Sequence, residues 1–141
     1  MFYRATELIR PSLLLLFLAV SAAGLAQDRK DVFVAKVDPD GVQRVRLEGG
    51  GYFFRPNHIV IKVNVPVEIL GSREAGVVPH NLVIQAPEAG ISVEEELEAE
   101  PRKITFTAKT VGKYPYFCAK KMLFFASHRE RGMEGVLEVV P

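Results

Sequence analysis

Hydrophobic and polar positions alternate in short runs along most of the chain, and turn signals separate the runs. Val32–Val37 alternates and stops at Asp38-Pro39-Asp40-Gly41; Val42–Leu47 alternates again and is broken by Gly49-Gly50-Gly51. Tyr52–Phe54 is short and aromatic, and Ile59, Ile61 and Val63 share one face of the next run. Further runs follow at Val65–Leu70, Asn81–Ile84, Lys103–Thr107, Lys113–Cys118 and Gly135–Val140. A period of two places successive side chains on opposite faces of a strand, and strands of this length bounded by Gly, Pro and Asn read as a sandwich of packed sheets. The pattern therefore predicts an all-β, Greek-key antiparallel β-sandwich of seven to nine strands. Two segments leave this rhythm. Val93–Glu100 is a run of glutamates, predicted as a charged surface segment, a short helix or a loop. Ala119–Arg131 has no turn residue, and a short helix is expected there.

The first 26 residues have a separate pattern. Arg4 and Arg10 precede the apolar run Ser12–Val20, and small residues over Ser21–Ala26 fit a cleavage site before Gln27. That is the layout of a signal peptide, and the run is short of the roughly 20 residues a membrane span needs. The expected organisation is a signal peptide over 1–26 and one domain over 27–141, exported to the periplasm or secreted. At 141 residues, with 48% hydrophobic and 25% charged side chains, the chain suits one globular domain. A formal charge of +1, near zero once the first 26 residues are set aside, points to neither nucleic acid nor an acidic membrane surface as a partner.

The single cysteine changes the picture most. An exported chain with one thiol has no internal disulfide to form, so Cys118 must be buried, bonded to another chain or bound to metal. Downstream stand His128 and Met133, and His80 lies upstream in the segment Val78-Pro79-His80-Asn81. Two imidazoles, one thiolate and a weak thioether are the donor set of a blue-copper electron-transfer site. Soft thiolate and imidazole suit both oxidation states of copper, and a weak axial thioether opposes the tetragonal geometry that Cu(II) prefers. His58, lone on a strand, reads as structural.

Several of these segments occur in an order that resembles the cupredoxins, the family of plastocyanin and azurin. Pro79-His80-Asn81 resembles the segment carrying the first histidine, and Gly112–Cys118 the aromatic strand that delivers the cysteine. His128 followed by Gly132-Met133-Glu134-Gly135 resembles the run into the last strand, and residues 53–69 resemble an earlier strand pair. The resemblance implies one copper ion on His80, Cys118, His128 and Met133, with Asn81 tying the His80 segment to the Cys118 loop. It departs from the family in the nine residues between Cys118 and His128, an enlarged ligand loop. Met122 in that loop is a rival axial ligand, and it stands where a dinuclear centre would carry a second cysteine. Leu123, Phe124 and Phe125 are either a cap folded over the copper or a docking surface beside it.

The implied function is one-electron shuttling by a mononuclear type 1 copper site in a monomer. Its expected partners are redox proteins or a membrane redox complex, without nucleic acid or a small-molecule substrate. No enzyme activity is expected: oxidase or reductase chemistry would need a second metal site and further histidines. The alternative is an exported protein of copper storage, delivery or resistance using the same ligands.

Overall fold

The computed structural model describes residues 31–141; the expected signal peptide lies outside the described residues. Ten strands run in chain order: β1 (Val32–Val34), β2 (Gln43–Gly50), β3 (Phe53–Arg55), β4 (His58–Lys62), β5 (Val67–Arg73), β6 (His80–Ala86), β7 (Ile91–Leu97), β8 (Arg102–Phe106), β9 (Gly112–Phe117) and β10 (Glu134–Val140). They form two facing sheets, one of six strands in the order β1-β4-β10-β9-β6-β7 and one of four in the order β3-β2-β5-β8. Three ladders are parallel, β1 with β4, β4 with β10 and β2 with β5, because the chain leaves each sheet and returns to it from the other. Among the described residues, no helix is long and apolar enough to cross a membrane.

The alternation in sequence is the alternation in space. Val45 and Leu47 of β2, Ile59 and Ile61 of β4, Val67 and Ile69 of β5, and Leu137 and Val139 of β10 all point into the space between the sheets. Arg44, Arg46 and Lys62, one residue out of phase, are exposed. A one-residue slip of β4 would turn Ile59 and Ile61 outward, forfeiting roughly 1.5–3 kcal/mol for each side chain.

Glutamates do not stop β7 from forming. Ile91, Val93 and Leu97 are buried, while Ser92, Glu94, Glu95 and Glu96 face water. This strand lies at the edge of its sheet, where charged side chains oppose pairing with another chain. The charged surface expected over 93–100 is present, but over Val93–Leu97 it is carried by an edge strand in place of a helix or loop, and the chain becomes a loop only from 98 to 100. The core closes near β9 and β10 with Tyr116 directly opposite Gly135. The Tyr116 ring occupies the space where a Cβ on that glycine would stand, and its hydroxyl donates to Pro56 O at 2.6 Å. Burial pushes the Tyr116 hydroxyl up from its ordinary pKa of 10.0, so it remains a donor.

Candidate metal centre

Strand direction gathers the chemistry at one end of the sandwich. His80 is the first residue of β6, Cys118 directly follows β9, and Met133 directly precedes β10. Since β9 runs antiparallel to both β6 and β10, the start of β6, the end of β9 and the start of β10 share one end. His128 is brought to the same place by the loop returning from Cys118.

Three side chains converge there. His80 Nδ1 and His128 Nδ1 are 3.1 Å apart, and Cys118 Sγ lies 3.5 Å from His128 Nδ1 and 3.9 Å from His80 Nδ1. A triangle with those edges has its centre about 2 Å from each corner, close to the bond lengths imidazole nitrogen and thiolate sulfur make to a first-row metal. All three residues are buried. Burial is the main cause holding both imidazoles below their ordinary pKa of 6.5, assisted at His80 by its neighbour His128 and at His128 by Arg131. Neutral rings are the form that donates a lone pair to a metal. The donor set and spacing thus fit one metal ion of the copper or zinc kind.

Backbone hydrogen bonds fix the C-terminal part of this cluster. Cys118 N donates to Met133 O at 3.1 Å, Met133 N to His128 O at 2.9 Å, and His128 N to Lys120 O at 2.9 Å. Met133 is fully buried, and its methyl group reaches the backbone of Gly49, where an added Cβ would sit 3.0 Å away. Asn81 Oδ1 accepts from Ala119 N at 2.8 Å, which joins the start of β6 to the residue after Cys118.

Two supports of His128 escaped the sequence reading. Ser127 and Glu130 form a reciprocal pair: the Ser127 amide and hydroxyl donate to Glu130 Oε2 at 2.6 and 2.7 Å, and the Glu130 amide donates to Ser127 Oγ at 3.2 Å. The signal was present as Ser-x-x-Glu, the spacing of a capping box. Tyr52 is the other; its ring meets His128 edge-on, 5.2 Å between centroids and 82° between planes. It follows the Gly49–Gly51 run with φ of 65°, a left-handed conformation uncommon for a residue with a side chain.

The loop 119–127 is not a helix. It leaves and re-enters the sandwich at nearly one point, because Lys120 O and His128 N are bonded; a helix advances 1.5 Å per residue and would carry its ends apart. It forms a turn closed by Phe125 N donating to Met122 O at 2.9 Å, with Leu123 at φ of 44°. Of the two uses foreseen for its apolar residues, the cap over the metal site is not what forms. Leu123 is 80%, Phe124 100% and Phe125 60% exposed, and Met122 is 47% exposed in a cleft of about 230 Å³ beside His128. His58 stands apart from the centre, its Nε2 paired with Glu138 Oε2 at 2.8 Å.

Several solved structures share the fold. The metal-binding domain of the Cu(I)-exporting P-type ATPase CopA of Streptococcus pneumoniae D39, determined with Cu(I), aligns over 79% of this chain and 98% of its own, at 21% identity and a TM-score of 0.55. Auracyanin from the photosynthetic bacterium Roseiflexus castenholzii aligns over 76% of this chain and 99% of its own, at 17% identity and a TM-score of 0.51. The chain has the cupredoxin fold. The periplasmic domain of cytochrome oxidase subunit II (CoxB) of Bradyrhizobium japonicum shares it, over 77% of this chain and 88% of its own, at 15% identity and a TM-score of 0.54. No family model and no curated protein sequence matches the chain. In this cupredoxin-fold chain the candidate donors occupy one end of the sandwich, and the long ligand loop projects from that same end.

Proposed function

We propose that the protein is an exported one-electron carrier holding a single copper ion on His80, Cys118 and His128, with Met133 as the axial ligand. The observation that carries this reading is the buried triangle of Nδ1, Nδ1 and Sγ around a common centre. Bound copper would supply the one-electron couple. The chain supplies a fixed geometry: each donor is on, or hydrogen-bonded to, a strand end, so little has to move when charge changes. Burial favours the carriage of electrons over the carriage of ions. An electron can leave through the His128 ring, which has Tyr52 against its edge, whereas releasing the ion would require parting three buried donors.

Met133 is preferred over Met122 because it is fully buried and bonded through its backbone to both Cys118 and His128, while Met122 is half-exposed. Copper delivery is the second reading, favoured by the likeness to a metal-binding domain of a Cu(I) exporter. The two separate on adding Cu(II) to the purified protein. An intense visible band, a narrow copper hyperfine pattern in paramagnetic resonance and reversible cycling support the electron carrier. A colourless protein that holds Cu(I) and yields it to a chelating acceptor supports delivery. A hyperfine pattern from two coupled coppers would overturn the mononuclear site.

A further inference from the structure

The loop between Cys118 and His128 places four apolar side chains in succession, Met122 to Phe125, at the end of the sandwich that holds the metal centre. Phe124 touches nothing that shields it from solvent. Val77, 97% exposed, stands in the turn just before His80 and adds an apolar prong at the same end. Water strongly disfavours such a cluster, and exposed apolar patches of this kind mark interaction sites.

Charge around the tip narrows the choice of partner. Lys120, Lys121, Arg129 and Arg131 flank it on both sides. Lys120 is paired with Glu96, and Arg129 with Glu134. The exposed Glu130 carboxylate accepts from Ser127, and the Lys121 ammonium nearby helps to hold it below its ordinary pKa after those two hydrogen bonds. Among the described residues, Arg131 has no carboxylate partner and Lys121 stands near Glu130 without a direct salt bridge; the Arg131 guanidinium lies over Tyr52 and within 5.9 Å of the Phe125 ring. An apolar tip flanked by two cations outside any direct salt bridge, Lys121 and Arg131, matches a bilayer surface: aromatic and aliphatic groups enter the acyl boundary, and basic groups meet anionic headgroups. Phe124 is fully exposed, and a deformable lipid surface can cover it from every side.

We infer that this loop docks the protein on an anionic phospholipid surface, Leu123, Phe124 and Phe125 entering the bilayer interface with Lys121 and Arg131 at the headgroups. The inference deepens the electron-carrier reading by placing the redox partner in or on the membrane, with the copper end of the sandwich facing it. Docking itself needs no metal.

The chain has no tryptophan, so Phe124→Trp creates a sole reporter at the tip. The full-length variant is mixed with vesicles of phosphatidylglycerol and phosphatidylcholine, with and without brominated acyl chains. Blue-shifted emission and quenching by the bromolipid are expected. Lys121→Glu with Arg131→Glu in the same chain should weaken partition roughly tenfold or more, as should raised salt. A local reporter separates loop insertion from any membrane affinity of residues 1–30. Unchanged emission in vesicles overturns the inference. So does equal quenching on pure phosphatidylcholine, or a blue shift that depends on protein concentration without lipid, which would mean self-association. The copper spectrum of the same variant is read in parallel. Failure of insertion with an intact spectrum leaves the electron carrier standing, and a missing spectrum with intact insertion removes the electron carrier alone.

Discussion

His58 and His128 belong to one sandwich but have opposite neighbours. The His58 ring is bonded to Glu138 across the ladder of β4 and β10, and Lys113 approaches the same carboxylate at 3.6 Å. That carboxyl is held below its ordinary pKa mainly by its bond to His58. The His128 ring faces another imidazole and a thiol, with an aromatic edge beside it and no carboxylate on it. A histidine with an acidic partner has its ring nitrogen committed inside the chain. A buried pair of imidazoles aimed at a thiol has lone pairs that only a proton or a metal can satisfy together. Burial therefore does not by itself separate a structural histidine from a ligand; the chemistry of the facing atoms does.

The sharpest way to break this contrast is to delete one member from each region. Cys118→Ala is expected to abolish both the intense visible band and tight binding of one copper per chain. His58→Ala should leave the band and the stoichiometry as they are, and a copper titration followed by absorption checks both. Next in size is Asn81→Ala, which removes the bond to Ala119 without touching a donor; a loss of roughly 10–100-fold in copper affinity is expected from a competition titration. Met133→Leu should shift the reduction potential while Met122→Leu leaves it in place, as voltammetry of the two loaded variants would show.

The smallest effect concerns the metal-free protein. Both buried imidazoles have folded-state pKa values lowered from 6.5, so below that value the unfolded chain binds more protons than the folded one. Stability contributed by the neutral rings is complete above about pH 6.5 and is lost as pH falls through the window beneath it. The melting temperature of the metal-free protein should fall with acidity in that window, and His80→Gln with His128→Gln should flatten the dependence.

The strands were legible wherever apolar and polar residues alternate, as in Arg44-Val45-Arg46-Leu47 or Lys103-Ile104-Thr105-Phe106, because register there is decided by which face is buried. β7 was less legible: its glutamates suggested a solvated segment, yet every inward position except Glu95 is apolar, and an edge strand tolerates charge on its outer face. The residues of the metal centre were legible as types in an order, through the lone cysteine and the flanking histidines. Their distances were not, since His80 reaches Cys118 only by strand pairing between distant segments. The conformation of the loop was not legible, and the short helix its spacing allowed does not form over 119–127, because spacing alone carries no information about where its two ends are tied. The supports from Tyr52 and from the Ser127–Glu130 pair come from a glycine run and a short capping motif, both of which gain meaning once His128 has a place in space.

The hydrogen bond between His128 N and Lys120 O makes the segment between them a detachable module. Apart from Ser127, everything that positions the donors lies at or below that bond, and closing a longer or shorter loop costs entropy that grows only slowly with length. Residues 121–126 can accordingly be exchanged for a peptide of another length and chemistry without redesign of the ligand cluster, provided Ser127 and its pairing with Glu130 are kept. Such a graft would let one metal scaffold be readdressed to a different surface.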